Sequence, residues 1–185
     1  MGVSWGGGLA LMSAVEQYIG LAYDGDIRFA AHVAVYPACH GFHGSGAYAG
    51  VAEGRWSGAP VFILAAAFND FEAPESCPKF VAQLPEQTRQ LVSEHVYPGV
   101  THAFDGLHGS RTYFDRTAHF GRGGYVSEVP DPLTAHDARQ KVVGFFRKAF
   151  GMEPSPPPDA PQPSEERATA NPPPSRLPRG RGIGG

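Results

Sequence analysis

Ser4 stands between two glycines in the pattern Gly2-x-Ser4-x-Gly6, which is typical of a sharp turn from a strand into a helix. Such a turn exposes a serine hydroxyl as a nucleophile, provided that a neighbouring base accepts its proton. The backbone N–H of Trp5, the residue after the serine, is the donor that this turn offers to a developing oxyanion. The pattern is weak evidence by itself, because a chain with 24 glycines produces such matches by chance.

Two later residues supply the partners that a nucleophilic serine needs. Asp70 follows an apolar run in the segment NDFEAP, and His102 follows another in YPGVTHAFD. A neutral imidazole accepts a hydroxyl proton near neutral pH, and a carboxylate fixes the tautomer of the imidazole and stabilises the imidazolium. Asn69 and Glu72 remain alternatives for the role of Asp70.

The elements that must position these residues alternate along the chain. Apolar runs rich in branched residues predict strands buried on both faces at 27–37 and 58–70, and a shorter strand around 95–97. Helical patterns cover 9–22 and 75–92, the second with a break at Pro85. A last helix is expected from Asp131 to just before Gly151, with Pro132 in its first turn.

This alternation predicts an α/β fold with a mainly parallel sheet and helices on both faces. In such sheets functional residues gather at the carboxyl ends of the strands, where Ser4, Asp70 and His102 are all expected. Only Met1 precedes Gly2, so we expect the N-terminal strands, including the strand that should lead into Ser4, to be missing.

Composition excludes several classes of function. A chain of 185 residues with a formal net charge of −3 suits one soluble domain and offers no broad basic surface for nucleic acid. The sequence contains no apolar run long enough to span a bilayer and no charged leader, so we expect a cytoplasmic protein without a membrane partner. Residues 1–151 are expected to fold, and the proline-rich segment 152–185 is expected to be a disordered tail.

Cysteines and histidines offer little for metal binding. Cys39 and Cys77 lack the spacing of metal ligands and are interpreted as buried reduced thiols in a reducing compartment. His40 and His43 form a candidate metal pair, but a contact at the rim of a pocket is favoured because their loop has no carboxylate close by. His32 lies in an apolar run and is interpreted as a hydrogen-bonded core histidine.

Four segments in this order carry a resemblance to a known family: GVSWGGG, VAVYPAC, APVFILAAAFND with a later Cys, and YPGVTHAFD. Over residues 2–151 the chain resembles the dienelactone hydrolase family of α/β-hydrolases. The resemblance implies a partial α/β-hydrolase fold, with Ser4 as nucleophile, Asp70 as acid and His102 as base, and no metal or organic cofactor. The chain departs from the family in two ways. The founding members use cysteine as nucleophile, and the family's N-terminal half, with the second oxyanion donor, has no counterpart here.

Two functions from different classes follow. The first is a serine hydrolase that cleaves a small carboxylic ester or lactone through an acyl-enzyme. The second is a catalytically silent hydrolase fragment that acts, if at all, as a binding module. Tyr36, Cys39 and Phe104 are candidates for the lining of the acyl pocket or for the core, and the loop 106–129 is either a cover of the pocket or a surface excursion.

Overall fold

The computed structural model describes residues 1–42, 48 and 50–152. Apart from Met152, the predicted disordered tail 152–185 lies outside these described residues, as does His43. Parallel strands form within the predicted apolar runs, but the prediction of a buried strand over 27–37 is wrong for residues 27–31, which are not in a strand and of which Ile27 and Phe29 are exposed. A four-stranded parallel sheet runs in the order β1-β2-β3-β4, with these bounds: β1 (Gly2–Val3), β2 (His32–Val35), β3 (Val61–Phe68) and β4 (Val92–Thr101). A separate antiparallel hairpin pairs β5 (Arg111–Asp115) with β6 (Gly124–Glu128).

Helices connect these strands, and their bounds are α1 (Trp5–Met12), α2 (Glu16–Ala22), α3 (Gly50–Glu53), α4 (Ser76–Gln83), α5 (Glu86–Arg89), α6 (Ala118–Gly121) and α7 (Pro132–Ala149). A short 3-10 helix, Cys39–Phe42, follows β2. None of the helices in the described part of the chain combines the length and apolarity needed to cross a bilayer.

Both faces of the sheet are buried, as expected for a parallel sheet. Successive residues of β3 point to opposite faces, so Ile63 packs in one apolar cluster with α1 and α4, whereas Leu64 packs in another with α7. Ala138 and Val142 of α7 are buried on that second face. The predicted α/β architecture, a parallel sheet with helices on both faces, is confirmed.

The helix α7 begins and ends as the sequence predicts. The side chain of Asp131 accepts a hydrogen bond from the backbone N–H of Thr134 at 2.9 Å, and Pro132 is the first helical residue. Gly151 has a φ of 64°, a left-handed conformation that ends the helix without the steric cost that a side chain would add. The break at Pro85 is also found, since it separates α4 from α5.

Two expectations near the N-terminus differ from the structure. A two-residue strand does precede Ser4, because the backbone of Gly2 and Val3 pairs with β2; a segment this short gives no readable pattern in a sequence. The predicted single helix over 9–22 is divided into α1 and α2. The division occurs at Val15, which is extended and forms an isolated bridge with Trp56.

Candidate active site

Ser4 occupies a strained turn between β1 and α1. Its φ of 52° and ψ of −122° lie in a region that a residue with a side chain rarely adopts. The turn is held from below, because the Ser4 N–H donates to the carbonyl oxygen of Val35 in β2 at 2.9 Å. This is the geometry of a nucleophile elbow, in which strain presents the hydroxyl beyond the end of the sheet.

The glycines around Ser4 are explained by close backbone contacts. A Cβ atom on Gly2 would overlap the carbonyl oxygen of Gly6, and a Cβ on Gly7 would lie 3.0 Å from the carbonyl oxygen of Val35. By contrast, nothing lies within 4 Å of a Cβ built on Gly6. The turn therefore requires glycine at Gly2, and space is tight at Gly7.

His102 lies directly after β4 and contacts the serine. Its Nε2 is 2.9 Å from the Oγ of Ser4, although 98 residues separate them in the chain. The imidazole is buried between two aromatic rings, with centroid distances of 4.7 Å to Tyr36 and 4.6 Å to Phe71. The structure thus brings together the candidate nucleophile and the candidate base.

Burial controls the protonation of His102. Desolvation of the ring lowers the pKa of His102 to about 4, although the nearby carboxylates, with Glu128 the strongest and Asp70 among the others, act to raise it. The imidazole is therefore neutral near pH 7. A neutral imidazole is the form that can accept a proton from a serine hydroxyl.

The carboxylate of Asp70 is engaged elsewhere. Its Oδ2 accepts a hydrogen bond from the backbone N–H of Ser127 in β6 at 2.9 Å. The Nδ1 of His102 is buried and has no hydrogen-bond partner among the described residues. Of the two alternatives, Asn69 lines the cavity beside Ser4, and its Oδ1 accepts from the Phe71 N–H at 3.0 Å. The other alternative, Glu72, faces His40.

An oxyanion donor is available at the start of α1. The N–H of Trp5 is in the first helical turn, where no intrahelical acceptor exists, and helix N-termini favour negative charge. The ring of Trp5 is largely exposed and forms part of the wall of the cavity that Ser4 and His102 also line.

A cavity of about 460 Å³ opens over Ser4 and His102. Its wall is mostly aromatic and apolar, and the turn between β5 and β6 contributes Thr117, Phe120 and Gly121 to it. The loop 106–129 therefore supplies one side of the cavity, through a hairpin that the sequence does not reveal.

The three candidate pocket residues lie in different places. Tyr36 lines the cavity, and its hydroxyl donates to Asp105 at 2.6 Å, which together with burial raises the pKa of the phenol. Phe104 is fully buried against the Tyr36 ring, behind the cavity wall. Cys39 is also fully buried, in the 3-10 helix after β2.

The prediction that Cys39 and Cys77 are reduced thiols is wrong, because the two sulfurs form a disulfide with an S–S distance of 2.06 Å. Cys39 follows β2 and Cys77 lies in α4, which follows β3. Since β2 and β3 are neighbours, the segments after their carboxyl ends meet. A separation of 38 residues in the sequence carries no sign of this contact.

Glu72, which the sequence offered only as a substitute for Asp70, lies beside His40 and the two cysteines. A carboxylate oxygen of Glu72 and the sulfurs of Cys39 and Cys77 lie within 4.8 Å of one another. A disulfide offers no thiolate, so these residues do not make a metal site in this oxidation state. The proposed contact of His40 at the rim is found: His40 lines the cavity, with its Nδ1 3.5 Å from Glu72 Oε2.

A solved structure is similar to this chain in fold. A solved structure, MGS-M1, an alpha/beta hydrolase enzyme from a Medee basin deep-sea metagenome library, superposes with a TM-score of 0.50 and 16% sequence identity. The match covers 81% of this chain and 53% of MGS-M1. The chain has a partial α/β-hydrolase fold. It spans about half the length of MGS-M1.

No model of a protein family matches the chain, and no curated protein matches it.

Proposed function

We propose that this α/β-hydrolase-fold chain is a serine hydrolase that cleaves a small carboxylic ester or lactone. One observation carries the proposal: the Oγ of Ser4, held in a strained elbow, lies 2.9 Å from the Nε2 of a histidine that burial keeps neutral. Strained backbone conformations cluster at active sites, so the strain at Ser4 supports a functional role for this residue.

The chemistry follows from these contacts. Ser4 attacks the carbonyl carbon while the Nε2 of His102 accepts the hydroxyl proton. The tetrahedral oxyanion is stabilised by the N–H of Trp5, and His102 then gives its proton to the leaving alkoxide. A water molecule attacks the acyl-enzyme by the same route, which releases the acid and restores Ser4.

Asp70 is the proposed acid of the triad. Its support is electrostatic, because its charge favours the imidazolium form of His102, whereas its hydrogen bond goes to Ser127. Asp70→Asn keeps an oxygen that can accept from the Ser127 N–H and removes the charge. We expect this variant to lower kcat at least about tenfold. The matched control is Asp24→Asn, because Asp24 is exposed and is not among the charges that act on His102, and we expect it to leave kcat unchanged.

The cavity and the sequence resemblance together support the substrate class. A volume of about 460 Å³ with mainly aromatic walls suits a small acyl or lactone group. The motifs around Ser4, Asp70 and His102 resemble those of dienelactone hydrolases, and this resemblance supports cleavage of a small ester or lactone.

The proposal is tested by labelling Ser4. We expect a fluorophosphonate probe to modify the wild-type chain at Ser4, and p-nitrophenyl acetate to be hydrolysed. Ser4→Ala should abolish labelling and lower turnover by at least about 10³-fold, whereas Ser110→Ala, at an exposed serine, should change neither. A wild-type chain that is folded but neither labelled nor active would overturn the proposal.

A silent binding module is the second candidate. It is favoured by the Nδ1 of His102, which has no hydrogen-bond partner among the described residues, because an unoriented imidazole is a poor base. This candidate predicts that small esters bind in the cavity and shift its tryptophan fluorescence through Trp5 without being hydrolysed.

A further inference from the structure

A second imidazole faces the cavity that holds Ser4 and His102. His40 lines this cavity, yet the acyl-transfer steps described above use a single imidazole, that of His102. The Nδ1 of His40 is buried, whereas the His40 side chain as a whole is 31% exposed. The exposed part of the side chain therefore lies elsewhere than at Nδ1, and His40 lines both this cavity and a neighbouring one of about 340 Å³.

A buried carboxylate stands behind His40. The side chain of Glu72 is 4% exposed, and its Oε2 lies 3.5 Å from His40 Nδ1 and accepts from the His40 backbone N–H at 3.1 Å. Phe120 packs edge-on against the imidazole at a centroid distance of 5.0 Å. Glu72 thus holds His40 through the backbone N–H and by its charge beside Nδ1, which makes no hydrogen bond within the described residues, and Phe120 packs against the ring from the cavity wall.

The disulfide fastens both members of this pair. Cys39, which precedes His40, is bonded to Cys77, and Cys77 lies five residues after Glu72 on the segment that follows β3. The two segments are therefore joined covalently beside the imidazole and the carboxylate. A pair fixed in this way presents Nε2 with little loss of conformational entropy on binding.

Charge decides which group this nitrogen suits. Burial raises the pKa of Glu72, because the charged carboxylate has lost its contact with water. A positive charge on His40 would stabilise the charged form of Glu72. An imidazolium at His40 donates through Nε2, and the neutral ring accepts there. Carboxylates surround His102, notably those of Glu128, Asp105 and Asp115, and they disfavour an anionic substrate. A neutral hydroxyl, which both donates and accepts, fits either state of His40.

We propose that His40 is a substrate-binding residue of the cavity that hydrogen-bonds a neutral hydroxyl group on the acyl part of the ester or lactone, with Glu72 as its positioning residue. This inference rests on the proposed hydrolase function. It assigns a preference for hydroxylated acyl groups over alkyl acyl groups of the same size. A site that pairs with a substrate hydroxyl discriminates strongly against an analogue that lacks it.

The test compares phenyl glycolate with phenyl propionate, which have the same leaving group and differ by a hydroxyl in place of a methyl. We expect His40→Phe to lower the ratio of kcat/KM for glycolate over propionate by about 10-fold or more, mainly through KM. His40→Gln, which keeps a hydrogen-bonding end, should retain part of the ratio. Glu72→Gln should lower the ratio less than His40→Phe does. The matched control is His136→Phe, at an exposed histidine on α7, which should leave the ratio unchanged.

Labelling of Ser4 by a fluorophosphonate separates the two proposals. If the wild type and the His40 variants are labelled and the ratio does not change, the role of His40 is wrong and the hydrolase function stands. Equal losses on both esters also overturn the role, because they indicate a general effect on Ser4 and His102. If the folded wild type is not labelled, the hydrolase function fails and this inference fails with it.

Discussion

His102 shows how one buried residue sets the chemistry of the candidate site. The rings of Tyr36 and Phe71 enclose its imidazole, and the loss of water around the ring disfavours the charged form more than the surrounding carboxylates favour it. The imidazole of His102 is therefore neutral well below pH 7. Its Nε2 lies 2.9 Å from Ser4 Oγ, which is within the reach that a proposed general base requires.

The first prediction concerns the pH dependence of activity. The pKa of His102 is lowered to about 4, and the imidazole is competent only when neutral, so kcat/KM should rise as pH increases through about 4 and stay level to neutral pH. Initial rates on p-nitrophenyl acetate across this range, with circular dichroism to show that the chain stays folded, provide the measurement. A midpoint near the ordinary histidine value of about 6.5 would contradict it.

At the scale of elements, two short connections position the site. The elbow between β1 and α1 holds Ser4 over the sheet through a hydrogen bond to Val35. The disulfide joins the 3-10 helix after β2 to α4 after β3, next to His40 and Glu72. Both connections lie at the carboxyl edge of the parallel sheet, where the segments that follow adjacent strands come together.

The second prediction tests the elbow. Gly2→Ala places a methyl group against the backbone of Gly6, so the turn must open, and we expect labelling of Ser4 by a fluorophosphonate to slow at least about tenfold. Gly6→Ala is the matched control, because its Cβ meets nothing within 4 Å and alanine favours the helix by up to about 1 kcal/mol. Equal labelling rates in the two variants would show that the close backbone contact does not shape the elbow.

The third prediction concerns the disulfide. Cys39 and Cys77 are separated by 38 residues, and closing a loop of that length stabilises a folded chain by about 3–4 kcal/mol in the chain-entropy account. We expect reduction with dithiothreitol, or the paired change Cys39→Ser with Cys77→Ser, to lower the free energy of unfolding in urea by an amount of that order. Identical urea midpoints with and without the reductant, in a chain whose thiols are shown to be free after reduction, would refute this.

At the scale of the whole molecule, burial is uneven. Apolar clusters cover both faces of the sheet, and His32 is enclosed in this interior with its Nδ1 3.1 Å from Ser13 Oγ, as expected of a core histidine. In contrast, α1, α2 and residues 27–29 line an apolar groove of about 590 Å³, in which Leu21 and Ile27 are exposed by 84% and 76%. The buried interior therefore contains titratable groups, among them His32 and His102.

The fourth prediction concerns stability against acid. Burial lowers the pKa values of His32 and His102 from 6.5 to about 4, so between these values the unfolded chain binds more protons than the folded chain. The free energy of unfolding therefore has its full contribution from these histidines above about pH 6.5. It falls as the pH drops towards 4, by about 2–3 kcal/mol for each histidine. Glu72, whose pKa burial raises, acts in the opposite direction.

Urea unfolding at several pH values measures this effect, and His32→Leu is the informative variant. Leucine fills the buried position without a titratable group, so the decline in stability between pH 6.5 and 4 should be about half as steep as in the wild type. The Ser13 hydroxyl keeps its hydrogen bond to the Ala10 carbonyl in this variant. A decline that is unchanged by the substitution would show that His32 is not responsible for it.

Much of the fold could be read from the sequence because local patterns encode it. The apolar run at β3, the break at Pro85 and the cap at Asp131 depend on neighbouring residues alone, and all are found where expected. Of the strand predicted over 27–37, only His32–Val35 is found. Two features could not be predicted from the sequence. The strand β1 has only two residues, which is too short for a pattern, and the first helix is divided at Val15 because this residue pairs with the distant Trp56.

What the sequence determined by itself was the alternation of strand and helix and the kinds of residues that end each strand. What only the tertiary structure decided was which of these residues touch. The tertiary structure brings His102 within hydrogen-bond distance of Ser4 and pairs Asp70 with the backbone of Ser127. It also joins Cys39 to Cys77 by a disulfide and brings Glu72 next to His40. The physical reason is that secondary structure follows from local backbone preferences and periodicity, whereas such contacts follow from the order of strands in the sheet, which brings together segments distant in the chain.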